Sequence, residues 1–327
     1  MRAIWYDTQG PAEDVLTLGE VDTPEPGPGE VCVWMHASGV NPSDVKTRSG
    51  LRGAMAVRRQ IPHSDGAGVI KKIGEGVDPA RIGERVWVHN AAFRREGGTC
   101  AEVCVVPAEW AHPLPDTVSF EQGACLGIPA MTAHRALFCG GRLAGKSVLV
   151  TGGAGAVGEM AIQLARWGRA GRIIATASGP EKAAIALAAG ADEVVNYRQQ
   201  DVAEAVRAAT GEEGVDLIVE VEFGANLEAS AKALKPHGVV ASYASTGEPA
   251  PRLPFYDLMF LNARIQTVFV YTLTEAQRAA AVHDITAALE AGALTPRVAG
   301  VWDLEDTATA HAAVEAGDMI GTVVVRV

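Results

Sequence analysis

Three glycines spaced G-x-G-x-x-G, Gly153, Gly155 and Gly158, interrupt the run VLVTGGAGAVGEMAIQLARWG, which is apolar before them and amphipathic after them. Few features restrict a fold so much. A strand must end, the chain must turn with no side chains in the way, and a helix must start within a few residues. Glycine at 153 and 155 permits the sharp turn and the close approach of a pyrophosphate, and Gly158 lets the helix lie close against the strand. The first N–H groups of that helix have no intrahelical partner, and the helix dipole favours an anion there. Three such glycines alone would be compatible with a tight turn and no ligand. Here the downstream chain repeats apolar runs and Ala-rich helical stretches, which is the context of a dinucleotide site.

Those runs place strands at Ser147 to Val150, Arg172 to Ala177, Glu193 to Asn196, Leu217 to Val221, Val239 to Tyr243 and Gln266 to Tyr271. Six strands with intervening helices fit an α/β, doubly wound parallel sheet. At 327 residues the chain has room for a second domain, at roughly 150 residues per domain. Residues 1 to 122 supply it, with short β-like runs (Val31 to His36, Gly66 to Gly74, Arg85 to His89) between Pro and Gly turns such as PEPGPGE. Beyond Thr274, a helix to Gly292, a second helix from Asp303 and a last strand Thr322 to Val327 read as a return to that first domain. The organisation is therefore 1–122 with 273–327, split around 123–272.

The net charge of −11 gives no basic footprint for nucleic acid, so an anionic ligand must be held locally. No run of 18 apolar residues suggests a membrane span, and the start MRAIWYDTQG has no apolar leader, which points to a cytoplasmic protein. Five cysteines, Cys32, Cys100, Cys104, Cys125 and Cys139, form no CxxC pair. Cys100 and Cys104 fall in a strand-like run and read as buried small hydrophobes.

Cofactor choice is decided at the end of the second strand. An NAD site places Asp or Glu there, about 20 residues beyond the glycines, to bond the ribose 2′-hydroxyl. This chain has Ser178, then Gly179, Pro180, Glu181 and Lys182. A small hydroxyl leaves room for a 2′-phosphate, and Lys182 lies where it neutralises one. That favours NADPH.

The stretches GVNPSDVKTRSG, SDGAGVI, IGERVW, GGTCAEVCVVP, LGIPAMTAHRAL and the glycine turn, in this order, resemble the zinc-free quinone oxidoreductases of the medium-chain dehydrogenase/reductase superfamily. The resemblance covers nearly the whole chain. It implies a GroES-like, mostly β catalytic domain beside the Rossmann domain, and a cleft between them as the active site. Beside Gly153 of the motif, it implies that Gly155, Ala156, Val157 and Gly158 meet the pyrophosphate, that Ser178, Lys182 and Tyr197 hold the adenosine end, and that Ala244, Ser245, Thr246, Phe269, Val270, Tyr271 and Thr132 lie by the nicotinamide. It also implies a homodimer joined through the cofactor domains, for which the β-branched and aromatic run IQTVFVY offers an edge strand.

Zinc alcohol dehydrogenases of the superfamily have a cysteine where this chain has Asn41 and a His-Glu pair at Ser64 and Asp65. Asn41 and Ser64 are not customary zinc ligands, and four cysteines for a structural lobe are missing, so no metal is expected. His63 then takes a hydrogen-bonding role. Several positions depart from the family pattern: Lys46 in place of an aromatic, His134 and Cys100 in place of tyrosines, His63 in place of glycine, and no basic residue before Thr322. Without a metal, negative charge on an acceptor oxygen needs a positioned donor. The Asn41 amide fits that role, with Lys46 as a cation or proton relay and Asp44 orienting its neighbours. The expected function is reduction of a quinone by NADPH; reduction of an enone or 2-alkenal, or cofactor binding with little turnover, are the alternatives.

Overall fold

The computed structural model describes all residues 1–327, which divide into two compact units, 1–128 with 295–327 and 129–294. The boundaries differ from the sequence expectation at both ends. Helix Glu275–Glu290 belongs to the second unit, where its buried Ala281, Ile285, Ala288 and Leu289 pack, and the chain returns to the first only at Thr295. The first boundary falls inside helix Gly127–Phe138. No helix is long and apolar enough to cross a membrane.

The second unit is built on a six-stranded parallel sheet. Its spatial order is Glu193–Asn196, Arg172–Ala177, Ser147–Val150, Val215–Glu220, Leu234–Ser242, Arg264–Thr267. Taken by position in the chain this is 3-2-1-4-5-6, a doubly wound α/β sheet whose order reverses between the first and fourth strands, where such sheets bind dinucleotides. Because both faces are covered by helices, the strands read as nearly continuous apolar runs: Val148, Leu149, Val150, Ile173, Ile174, Leu217, Ile218 and Val219 are all buried. The sixth strand is shorter than expected. It stops at Thr267, and Val270–Thr272 forms a 3₁₀ turn instead of the strand continuing to Tyr271.

The first unit holds a mostly antiparallel sheet in the order Val298–Asp303, Thr322–Arg326, Glu30–Val40, Asp65–Ile73, Arg85–Val88, Ala111–Pro113, with Val103–Pro107 also paired to Glu30–Val40. Its core is Val31, Val33, Met35, Ile70, Val86, Val88, Cys104 and Val106. The C-terminal segment is integral to it: Val323 and Val325 pack with Ile4, Val40 and Val45. Cys104 lies in a strand and Cys100 just before one; both are buried.

Candidate active site

The glycine turn joins strand Ser147–Val150 to helix Ala156–Trp167, with Gly155 at the N-cap. The glycines divide the work differently from the motif reading. The left-handed residue is Gly152, at φ +65°, so the sharp turn precedes the motif. Gly158 is a packing position: a Cβ there would lie 2.2 Å from the Gly152 carbonyl oxygen. Gly155 faces open space, with nothing nearer to such a Cβ than the same oxygen at 3.4 Å. Thr176 accepts the Gly152 N–H at 3.0 Å, and the Thr151 hydroxyl joins the first and fourth strands by donating to Glu220 at 3.0 Å and accepting the Val221 N–H at 2.9 Å. Ala156 and Val157 provide the first free N–H groups of the helix.

At the adjoining strand ends, the Tyr197 N–H donates to the Ala177 carbonyl at 3.2 Å, which places Ser178 and Tyr197 side by side. Gly179 caps helix Pro180–Ala188, on which Lys182 stands in the first turn. Tyr197 is half exposed. Lys182 has no ion pair, and neither has Arg198, an exposed cation that the sequence reading passed over.

The loop after Leu234–Ser242 is tied down by Glu222, whose carboxylate accepts the N–H groups of Thr246 at 3.0 Å and Gly247 at 2.9 Å. Ser245 accepts the Gly224 N–H at 2.9 Å and donates to the Glu248 carbonyl, so its hydroxyl is engaged within the loop. Ala244 accepts the Phe223 N–H. Phe269 is exposed, Val270 buried, and the Phe269 and Tyr271 rings lie 5.0 Å apart. Thr132 is buried one turn along helix Gly127–Phe138 from Ile128.

In the first unit Asn41 caps helix Pro42–Arg48. Its backbone N–H donates to Asp44 at 2.8 Å, and its side-chain amide donates to Asp65 Oδ2 at 2.7 Å. The same oxygen accepts the Ile128 N–H at 2.7 Å. Asn41, Asp44 and Asp65 are all buried, and Lys46 is half-buried. Burial pushes the Asp44 carboxyl up to about 7, against the opposing pull of the Asn41 N–H. Burial also pushes Asp65 well above the usual carboxylate range, and Asp44 adds to the shift. Asp65 is the residue that sequence reasoning missed as part of this group. A lone acid in the glycine-rich apolar run SDGAGVI was the available signal.

Behind Asp65 runs a buried hydrogen-bond chain. His63 contacts His311 (Nε2 to Nε2, 2.8 Å) and Ser38 (2.8 Å); Ser38 contacts Thr99 at 2.7 Å, and Thr99 donates to the Asp65 carbonyl. The single Thr99 proton is committed to that carbonyl. Ser38 therefore donates to Thr99, His63 Nδ1–H to Ser38, and His311 Nε2–H to His63. Both imidazoles are neutral: burial lowers His63 well below its ordinary value and His311 to about 3.

No group of three or more His, Cys, Asp or Glu side chains is placed to hold a metal ion.

A mostly β unit completed by the C-terminus, carrying a buried amide–carboxyl group, and a 3-2-1-4-5-6 sheet with an open glycine turn together define the class: a medium-chain dehydrogenase/reductase. The family models agree, an alcohol dehydrogenase GroES-like domain over residues 27–116 and a zinc-binding dehydrogenase domain over residues 156–287. Within that class the chain belongs to the quinone oxidoreductase family of oxidoreductases. It is 34% identical over 314 residues to the quinone oxidoreductase of Rattus norvegicus, covering 95% of this chain and 93% of the relative. Among solved structures, an NAD-dependent alcohol dehydrogenase superposes with a TM-score of 0.90 at 30% identity, over the full length of both chains. The Escherichia coli quinone oxidoreductase complexed with NADPH gives 0.86 at 26% identity, also over both full chains.

Proposed function

We propose that the protein is a zinc-independent NADPH:quinone oxidoreductase. The observation that carries the cofactor choice is the end of strand Arg172–Ala177, where Ser178 replaces a carboxylate and Lys182 and Arg198 stand without ion pairs. An acid there would repel a 2′-phosphate; two uncommitted cations attract one. The bound nicotinamide supplies a hydride. The chain itself holds the diphosphate on the N–H groups that open helix Ala156–Trp167, and offers the second Asn41 amide proton to the acceptor oxygen as charge develops there. Lys46, half-buried and two residues beyond Asp44, supplies positive charge near that oxygen.

Zinc does not suit the available donors. Asn41 and Ser64 are poor ligands, His63 is held by Ser38 and His311, and burial pushes the Cys100 and Cys104 thiols up to about 12, away from the thiolate form that binds metal. A quinone suits such a site because it accepts hydride readily once aligned, without a Lewis acid.

NADPH consumption measured with 1,2-naphthoquinone, a 2-alkenal and no acceptor tests the reading: the quinone should turn over fastest, and preference for the alkenal would reassign the substrate. A charge-assisted contact to the 2′-phosphate contributes roughly 1.5–3 kcal/mol, about ten-fold or more in affinity. Lys182→Ala should therefore weaken NADPH by that factor and leave NADH nearly unchanged in a titration of both. An equal loss for both cofactors would remove this account of specificity.

We also propose a homodimer joined through the second unit. Arg264–Thr267 is an edge strand of the six-stranded sheet, and beside it in the chain helix Phe255–Phe260 exposes Phe255, Tyr256, Met259 and Phe260, the last at 74%. An uncovered apolar surface beside an open strand edge tends to pair. Light scattering at micromolar concentration should give twice the chain mass, and Phe260→Asp together with Tyr256→Asp should give the monomer.

A further inference from the structure

We propose that Asp65 is the positioning residue that fixes which end of the Asn41 amide faces the acceptor. The proposal rests on the role given above to Asn41. A side-chain amide can present its oxygen or its nitrogen to the same point by a half-turn, so a donor made from Asn requires something to choose between the two. Asp65 Oδ2 makes that choice. It accepts from Asn41 Nδ2 at 2.7 Å and from the Ile128 N–H at 2.7 Å, so it is an acceptor on both sides. Turning the amide would place its oxygen against Oδ2, two acceptors in contact where no water can separate them; Asn41 is 3% exposed and Asp65 0%. One Nδ2 proton is thus bound to Asp65; the other, on the side of the Asp44 carboxyl, is the one that would turn to the acceptor oxygen. A neutral Asp65 could carry its proton on Oδ2 and meet a turned amide, so the choice also draws on the Asp44 backbone N–H, which the Asn41 side chain accepts in the capping box. With the amide in that orientation and Oδ2 accepting twice, any proton on the group sits on Oδ1, which has no hydrogen-bond partner.

Asp65 is itself held on several sides. Its backbone pairs with Gly39 in the antiparallel ladder, and Thr99, at the end of the histidine chain, grips its carbonyl. Gly127 leaves its carboxyl room, since a Cβ at 127 would lie 2.1 Å from Oδ1. Asp44 meanwhile anchors the Asn41 main chain at 2.8 Å. A buried carboxyl with one oxygen unsatisfied costs stability, which fits a group retained for what it orients.

The test compares Asp65→Asn with Asp65→Ala. Asparagine keeps an oxygen for both donors and puts its nitrogen at the Oδ1 position; alanine removes the acceptor. With the acceptor that wild type turns over best, Asp65→Asn should keep kcat within a few-fold. Asp65→Ala should lower kcat about 10²-fold, the effect of misplacing a donor by about 1 Å, with KM and cofactor affinity little changed. Hydrogen exchange of the Asn41 side-chain amide, followed by NMR in the resting protein, gives a readout that needs no substrate. One proton should be protected in wild type and Asp65→Asn, and released in Asp65→Ala. The proposal is overturned by unchanged kcat in Asp65→Ala, by an equal loss in both variants, or by unprotected Asn41 protons in wild type. Should Asp65→Ala not fold, the wild-type exchange and the Asp65→Asn kcat decide. Failure of wild type to reduce any acceptor would instead strike the functional reading, while the exchange still reports whether Asp65 holds the amide.

Discussion

Gly158→Ala is expected to destabilise the second unit by several kcal/mol and to abolish measurable cofactor binding, whereas Gly155→Ala should leave the fold intact and lose affinity alone. The two glycines stand three residues apart in one motif, yet their surroundings are opposite. A methyl on Gly158 would sit 2.2 Å from the Gly152 oxygen, 2.9 Å from the Gly152 carbonyl carbon and 3.0 Å from Gly153 Cα. All three are backbone atoms of the turn, so relief requires moving the turn itself away from the helix. Overpacking of this kind costs typically about 1–3 kcal/mol even where side chains can yield, and more where they cannot. The N–H groups that open the helix would be displaced with it. A methyl on Gly155 meets only the Gly152 oxygen at 3.4 Å, an ordinary contact, and its φ of −73° suits any L-residue. What that methyl would meet is the ligand, because the phosphate must approach this backbone closely. Thermal melting and NADPH titration of the two variants separate the cases: a lower melting temperature for Gly158→Ala only, and lost affinity for both. Equal melting of Gly158→Ala and wild type would overturn the packing argument.

Much of the second unit was legible because its strands are buried on both faces. Runs such as SVLV and RIIATA are apolar at every position that touches the two helical layers, and Gly or Pro bounds them, so the first three strands fall where the pattern puts them. The sixth strand was read too far because VFVY is β-branched and aromatic, but local propensity does not decide at a sheet edge, and the chain turns at Val270–Thr272. Strand Val298–Asp303 was invisible for a related reason. It is half exposed, contains Gly300, and exists only because Thr322–Arg326 pairs with it in parallel. The grouping around Asn41 was half legible. Asp44 lies three residues away on the same turn, within reach of sequence spacing, while Asp65 lies 24 residues away from Asn41 and 63 from Ile128. Those contacts are made by sheet register and by the entry of the next helix, which no periodicity encodes. The role of His63 was anticipated as hydrogen bonding, but its partner, His311, comes from the far end of the chain.

The same buried groups give the first unit an unusual dependence on pH, and Asp44→Asn should expose it. Four groups are involved, and their shifts oppose one another. For Asp44 the native carboxyl titrates at about 7, far above an unfolded value of 3.8, and Asp65 is raised in the same sense. Between those limits the native state holds protons that the unfolded chain has lost, so each acid favours folding at low pH and that stabilisation is lost as pH rises through the native value. His63 and His311 do the reverse. Their native values lie far below the ordinary 6.5, His311 at about 3, so the unfolded chain takes up protons that the native state refuses, and stability falls as pH drops below 6.5. The slope of unfolding free energy against pH is about 1.4 kcal/mol per unit for each proton by which the unfolded state exceeds the native. In the acid range the two histidines oppose the two acids, which flattens the wild-type profile. Removing Asp44 takes one proton from the native state between about pH 4.5 and 6, so there the variant's stability should fall with falling pH by about 1.4 kcal/mol per unit more than wild type's does. Relative to wild type the variant's advantage therefore grows with pH and is fully developed by pH 8. Wild type carries the cost of an ionised buried Asp44, about 4 kcal/mol for a shift of about three units. Asparagine keeps an oxygen for the Asn41 N–H without the charge, so the melting temperature should rise by roughly 10 °C. Urea unfolding of wild type and Asp44→Asn from pH 4.5 to 8 measures both limbs; parallel profiles at every pH would show that Asp44 titrates in the folded protein as it does in the unfolded chain.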